Sequence, residues 1–285
     1  MEYIQPKSLR EALHIMRQFK NRAKIIAGGT NVIPDMRIDA IKPDVLVDIT
    51  CLKSLSYIKE EKKRVKIGSL TTVSGLKSSR IVQDFAPILC DAAQQFGNPL
   101  VRNRATIGGN LADASPAADT AVPLLVLGAT VITEKEGGKG REIPIDQFFL
   151  GPNQTVLKPE EIIREILIPK PDLNSRMFYL KLGLRNAMAI SVVSVAILME
   201  IENDVCKKAR VALGAVSPKP MRANRVEEIL KCKKITGDLV EKCSQTVEEE
   251  VQPITDIRAG GHYRRSMASV LLRRLIIQVL SEGRA

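Results

Sequence analysis

The sequence is poor in the residues on which several classes of protein depend. It contains no Trp, its aromatic residues make up only 4% of 285 residues, and it has two His. Because aromatic side chains are what bases stack on, this composition disfavours a protein that binds single-stranded nucleic acid. Two His make a His-based metal site improbable. No apolar run reaches the roughly 18 residues that a membrane-spanning helix requires.

The five cysteines are widely separated and contain no CxxC pair. Such spacing is typical neither of a metal centre nor of a disulfide framework. We interpret them as reduced thiols of an intracellular protein. The first residues, MEYIQPKSLREAL, lack the basic segment and apolar core of a signal peptide. We therefore expect a cytoplasmic protein without a metal site.

Positive charge is in excess. The chain has 43 Lys and Arg against 32 Asp and Glu, a net charge of +11 and a pI near 9.5. The basic residues are dispersed, so a solvated basic surface is favoured over a nucleic-acid site. An anionic small-molecule ligand or an acidic partner subunit would use the same charge.

Hydrophobic periodicity predicts an α+β protein. Residues 9–19 have helical spacing, and Ser8 with Glu11 forms a capping box in front of them. Residues 24–29 and 43–50 read as strands, which gives a βαβ-like unit of about 55 residues. Residues 121–133 read as an apolar helix that runs into a buried strand.

A second group of elements follows Pro169 and Pro171. Three alternating segments predict an antiparallel sheet, and three helical segments complete this part. We predict two domains, residues 1–175 (subdomains of about 1–55 and 56–175) and 176–285. The predicted strands are 178–184, 190–202 and 209–216, and the predicted helices are 222–232, 239–251 and 263–283.

Two glycine pairs stand out because their surroundings are alike. Gly28 and Gly29 follow the strand KII and precede Thr30 and Asn31, and Gly108 and Gly109 lie between Thr106 and Asn110. Glycine allows a sharp turn and a close approach of the backbone to a ligand, and consecutive N–H groups form an anion-binding concavity. Neither pair fits a phosphate-binding P-loop or a GxGxxG fingerprint. Structural turns are the alternative interpretation of each pair alone.

Carboxylates follow the second pair. Asp113 and Asp119 would repel a diphosphate, so they suit hydrogen bonds from ribose hydroxyls or an adenine amine, a pattern typical of a dinucleotide. For Asp119, capping of the helix that follows is the alternative.

The blocks AGGTN and ATIGGN resemble the two FAD-diphosphate loops of the FAD-binding medium subunits of molybdenum hydroxylases. The likeness covers nearly the whole chain, through GNPLVRNRATIGGN, EEIIREILIP, YLKLGLRNAMAIS, ALGAVSPKPMRA and HYRRSMASVLLRRLI. It implies a two-subdomain FAD-binding domain of the PCMH or vanillyl-alcohol-oxidase type, followed by a smaller α+β domain with a three-stranded antiparallel sheet.

The resemblance also implies roles for particular residues. Asp113 and Asp119 would lie near the ribose and nucleotide end, Leu167 and Phe96 near the isoalloxazine, and Lys181 at the polar edge of the ring. No catalytic acid or base is implied. The two loops that would hold the diphosphate are Lys24, Ile25, Ile26, Ala27, Gly28, Gly29, Thr30 and Asn31, and then Thr106, Ile107, Gly108, Gly109 and Asn110.

The function implied is electron transfer within a heteromeric enzyme. A large partner would carry molybdopterin, a small partner two 2Fe-2S clusters, and the FAD would pass electrons to an external acceptor such as NAD. One departure from many relatives is Ala189, where they have Asp. The alternatives are a free-standing flavin reductase of the enolpyruvyl-sugar reductase type and a basic scaffold protein without enzymatic activity.

Overall fold

The computed structural model describes residues 1–172 and 174–281. The first unit is a three-stranded parallel sheet of order β1-β3-β2, made by β1 (Glu2–Ile4), β2 (Ala23–Ile26) and β3 (Val45–Asp48). Helix α1 (Leu9–Phe19) connects β1 to β2. The predicted cap is present, since Ser8 Oγ accepts the N–H of Glu11 at 3.2 Å. The short strand β1 was not predicted; it pairs with β3 in parallel.

The second unit is built on a five-stranded antiparallel sheet of order β4-β5-β10-β6-β7. The apolar run at 121–133 forms a helix followed by a strand, as predicted. A small two-stranded sheet, β8-β9, lies beside this unit. The strands are β4 (Ile58–Glu60), β5 (Arg64–Gly68), β6 (Thr130–Glu134), β7 (Glu142–Pro144), β8 (Phe149–Gly151), β9 (Gln154–Thr155) and β10 (Ile162–Pro169).

Seven short helices accompany these two units within the described residues. They are α2 (Val32–Arg37), α3 (Val73–Ser78), α4 (Arg80–Phe85), α5 (Pro87–Gln94), α6 (Pro99–Arg104), α7 (Ile107–Asp113) and α8 (Ala121–Leu127). Every residue of α8 is buried, because this helix packs against β10 on one side and against the C-terminal sheet on the other.

The C-terminal unit is an antiparallel sheet covered by helices. Three long strands, β11 (Ser175–Leu182), β12 (Val193–Glu202) and β13 (Val205–Gly214), confirm the predicted sheet, to which β14 (Met221–Arg222) and β15 (Lys233–Lys234) are added. The three predicted helices are α9 (Asn224–Leu230), α10 (Gly237–Glu250) and α11 (Gly261–Ser281). The last two residues of the predicted helix 263–283 lie outside the described residues.

One hydrophobic core cluster is shared by the second unit and the C-terminal unit, whereas the first unit and the helix-covered side of the C-terminal unit have clusters of their own. Tyr179, Ala196, Leu198 and Ala212, all from the C-terminal sheet, belong to the core cluster that is otherwise formed by residues 65–168. The boundary at 175 therefore stays a prediction, because apolar packing continues across it. Among the described residues, no helix is both long and apolar enough to cross a bilayer.

Candidate functional site

The first glycine pair lies in the turn between β2 and α2. Gly29 has a φ of +73°, a left-handed conformation in which a side chain is strained. Within the described residues, the backbone N–H groups of residues 28–31 donate no hydrogen bond to another backbone group. Gly28, Gly29 and Thr30 are only half-buried. Four successive unpaired donors on an accessible turn are suited to bind an anion.

The second glycine pair occupies the first turn of α7, with Thr106 as its N-cap. The N–H of Gly109 donates to Thr106 Oγ1 at 3.1 Å. The N–H groups of Ile107, Gly108 and Asn110 donate to the carbonyls of Thr71, Ser69 and Thr106 at 3.0, 2.9 and 2.9 Å. The expectation that both pairs offer free main-chain amides is therefore wrong for the second. Its donors are used to cap α7 and to tie it to the segment after β5.

The two glycine segments do meet, as predicted. A Cβ built on Gly28 would lie 2.0 Å from the carbonyl oxygen of Arg104 and 3.0 Å from the Cα of Ala105. Only glycine allows the first turn to pack this closely on the residues that lead into Thr106. The convergence therefore depends on backbone contact between segments about 80 positions apart in the sequence.

Gly108 and Gly109 differ in what surrounds them. A Cβ on Gly108 would lie 2.6 Å from Ser69 Cβ, whereas a Cβ on Gly109 would meet only the Thr106 hydroxyl, at 2.8 Å. Gly108 therefore faces the protein interior, and Gly109 faces outward. Ser69 was not predicted; its hydroxyl is buried without a hydrogen-bond partner among the described residues, and a serine in a loop gives no sequence signal for this.

Asp113, at the end of α7, lies beside the first glycine segment. Burial raises the pKa of its carboxyl group; the Asn31 side chain and Lys24 oppose this rise, and Asp35 adds to it. Three residues from the first segment and its helix thus surround the carboxylate. The predicted nucleotide contact of Asp113 stays a prediction, and its position beside the first turn is compatible with it.

Asp119 forms a buried network with the C-terminal domain. Its Oδ1 accepts hydrogen bonds from Tyr179 Oη at 3.2 Å and Ser191 Oγ at 2.6 Å. Its Oδ2 accepts from Lys181 Nζ at 2.6 Å, and Nζ also donates to the Gln95 carbonyl at 3.1 Å. The Lys181 and Asp119 side chains are 5% and 9% exposed. Both carboxylate oxygens are occupied, so a direct contact with ribose or adenine would require a donor to leave.

Tyr179 and Ser191 in this network were missed from the sequence. Burial, followed by the charge of Asp119, holds the pKa of Tyr179 well above its ordinary value, so the hydroxyl remains a hydrogen-bond donor. Both residues lie more than 50 positions from Asp119. Alternating polarity in the strand had indicated only which face of the sheet each residue would occupy.

The three residues predicted at the flavin ring, Phe96, Leu167 and Lys181, occupy different settings. Phe96 is half-buried against the central core and adjoins Gln95, the residue that Lys181 contacts. Leu167 is buried in β10, where it pairs with Lys66 on one side and Thr130 on the other. Helix α7 packs against β10. The structure therefore brings Lys181 to the residue that precedes Phe96, and it places Leu167 on a strand that supports the second glycine segment.

Two family descriptions match the chain in sequence. The FAD binding domain in molybdopterin dehydrogenase matches residues 1–171, and the CO dehydrogenase flavoprotein C-terminal domain matches residues 178–279. Among curated relatives, the glyceraldehyde dehydrogenase medium chain of Sulfolobus acidocaldarius is 32% identical over 97% of both chains. The nicotinate dehydrogenase FAD-subunit of Eubacterium barkeri is 30% identical over 99% of this chain and 96% of its own.

The fold is also that of a solved structure. A chain of the carbon monoxide dehydrogenase from Hydrogenophaga pseudoflava superposes with a TM-score of 0.93 and 32% identity. The superposition covers 96% of this chain and 95% of the other. These matches extend over both domains, so the similarity is not limited to the glycine segments.

Proposed function

The chain belongs to the family of FAD-binding subunits of molybdenum hydroxylases, and we propose that it transfers electrons between a partner's iron–sulfur clusters and an external acceptor. The protein binds FAD as its cofactor. When bound, FAD supplies the redox chemistry, while the chain orients it and sets its surroundings. No catalytic acid or base is assigned.

The residues of the first glycine turn fit the diphosphate of FAD, and this observation carries the proposal. Four successive N–H groups, at residues 28–31, lack a backbone partner among the described residues, and phosphate oxygens are acceptors of the kind they require. The outward face of Gly109 borders the same junction, because Gly28 packs on Arg104 and Ala105 just before Thr106. We propose that the first turn supplies the main-chain donors and that Gly109 leaves room for the ligand.

The proposed assembly has three kinds of subunit. Relatives are described as medium chains or FAD subunits, and we propose that this chain joins a large molybdopterin subunit and a small subunit with 2Fe-2S clusters. All five cysteines are free thiols, which supports a cytoplasmic location. The external electron acceptor could belong to either of two classes, NAD or a small electron-transfer protein, and experiment must distinguish them.

Replacement of Gly109 by Ala tests the site with a matched control. We expect Gly109→Ala to weaken FAD binding at least about tenfold, equal to about 1.4 kcal/mol, because the new methyl group enters the space reserved for the ligand. Gly75→Ala is the control: Gly75 N–H likewise donates to an N-cap threonine, Thr72, and its Cβ would meet that hydroxyl at 3.3 Å. The measurement is FAD affinity by quenching of flavin fluorescence.

The two variants make the result interpretable. If FAD affinity fell equally in Gly109→Ala and Gly75→Ala, the cause would be perturbation of a helix N-cap and not loss of space for the ligand. Unchanged binding in Gly109→Ala would remove the second segment from the proposed site. A wild-type chain that takes up no FAD in the assembled complex would reject the proposed function itself.

A further inference from the structure

An exposed apolar surface lies beside the residues predicted at the flavin ring. We call it the Met188 surface, and it consists of Leu100, Leu184, Met188 and Ile190, which are 76%, 66%, 51% and 57% exposed. The first belongs to α6 and the other three to the loop between β11 and β12. The N–H of Met188 donates to the Gly97 carbonyl at 3.1 Å, which joins the two segments.

The backbone of this loop is held in an unfavourable conformation. Met188 has a φ of +54°, in the left-handed region, which costs an unbranched residue roughly 1–2 kcal/mol. The Arg185 guanidinium donates twice to the Met188 carbonyl, at 2.9 and 3.3 Å. Strain of this kind persists only where surrounding contacts enforce it, and it is concentrated at functional positions. Here the residue in this conformation is 51% exposed.

The two chain segments that form the Met188 surface are themselves basic. Residues 92–112 and 174–199, which contain both segments, include no Asp or Glu. Arg104 and Arg185 are exposed in them, and Arg102 is half-buried. The loop of residues 183–192 contains no carboxylate. An apolar centre with a positive rim is complementary to a partner with an acidic surface.

The Met188 surface also lies close to the predicted position of the isoalloxazine. Gly97, which accepts the hydrogen bond from Met188, directly follows Phe96. Lys181, at the start of this loop region, reaches the Gln95 carbonyl with its ammonium group. A protein docked on this surface would therefore approach Phe96 and Lys181, two of the three residues expected at the ring.

We propose that the Met188 surface is the docking site of the electron acceptor and that this acceptor is a small acidic electron-transfer protein. The inference rests on the proposed function. Small molecules bind in concave, enclosed sites, whereas these side chains project into solvent, which suits a protein partner. Each acceptor molecule gains one electron, so two are reduced for each FAD reoxidised, and two protons are released to water.

The test uses the assembled FAD-loaded complex and a purified acidic bacterial ferredoxin as the probe. Binding is measured by biolayer interferometry at low and high salt for the wild type, Leu184→Glu and Ile190→Glu. We expect each variant to bind the ferredoxin at least about tenfold more weakly, and wild-type affinity to fall as salt screens the opposite charges. Ile257→Glu is the matched control, since Ile257 is fully exposed in the loop between α10 and α11. The ferredoxin affinity of Ile257→Glu should stay within about twofold of the wild-type value.

FAD absorbance and subunit composition are recorded for every sample. Wild-type ferredoxin affinity in both variants would overturn the proposal, as would ferredoxin binding that is too weak to detect while NAD reoxidises the flavin. If the variants lost the iron–sulfur subunit but still bound ferredoxin, the Met188 surface would be the contact site of that subunit. This result would also overturn the proposal. Absence of FAD from the wild-type complex is a separate result, because it rejects the proposed function.

Discussion

Replacement of Gly28 by Ala is expected to remove FAD and to destabilise the folded chain at the same time. The new Cβ would lie 2.0 Å from the Arg104 carbonyl oxygen and 2.6 Å from its carbon. These are backbone atoms, so the clash cannot be relieved by a side-chain rotation. The two glycine segments must separate, and we expect a cost of about 3 kcal/mol, at the upper end of overpacking penalties.

Thermal unfolding and the flavin content of the purified complex measure the two effects of Gly28→Ala. Gly260→Ala serves as the control, because no atom lies within 4 Å of a Cβ built at Gly260. We expect the control to keep wild-type stability and flavin, and Gly28→Ala to retain less than about a tenth of the flavin. Full flavin content and an unchanged melting temperature in Gly28→Ala would contradict the close packing of the two segments.

Replacement of Lys181 by Met is expected to destabilise the chain by about 3–5 kcal/mol, the range for breaking a buried ion pair. Lys181 and Asp119 are 5% and 9% exposed, and their charged atoms are 2.6 Å apart. Removal of the ammonium group leaves the carboxylate buried, and among the described residues only the hydroxyls of Tyr179 and Ser191 remain as donors. The network joins the domains, so the loss should appear in global unfolding.

A double variant separates charge from packing in this network. Lys181→Met with Asp119→Asn removes both charges, and we expect it to recover at least about 1 kcal/mol of the loss, because no uncompensated charge remains. The matched surface pair is Lys208 with Glu200, whose side chains are 48% and 23% exposed; Lys208→Met should cost under about 1 kcal/mol. Urea denaturation measures the free energy of unfolding of Lys181→Met, of the double variant and of Lys208→Met.

The flavin potential provides an independent readout of Lys181. If Lys181 lies at the ring edge as predicted, loss of its positive charge should make the flavin harder to reduce and lower the midpoint potential. A Lys181→Met variant that is destabilised but has an unchanged potential would limit the residue to joining the domains. The same measurement on Lys208→Met should show no change.

Much of the fold could be predicted because the signals are local. Helical spacing from Leu9 to Phe19 and a capping serine are written in consecutive residues, and the apolar run 121–133 became α8 and β6 as expected. Strand β1 was missed because three residues are too few to establish a period. Added strands β14 and β15, of two residues each, were missed for the same reason.

The sequence by itself determined the longer helices and strands, the family and the two glycine pairs, because each depends on residues close together in the chain. Only the tertiary structure decided how those pairs are used. The N–H groups of Gly108 and Gly109 donate to the Ser69 carbonyl and the Thr106 hydroxyl, and Gly28 fits against Arg104. The Asp119–Lys181 pair spans 62 positions. Hydrogen-bond partners so distant in sequence leave no periodic trace, since folding alone brings them within reach.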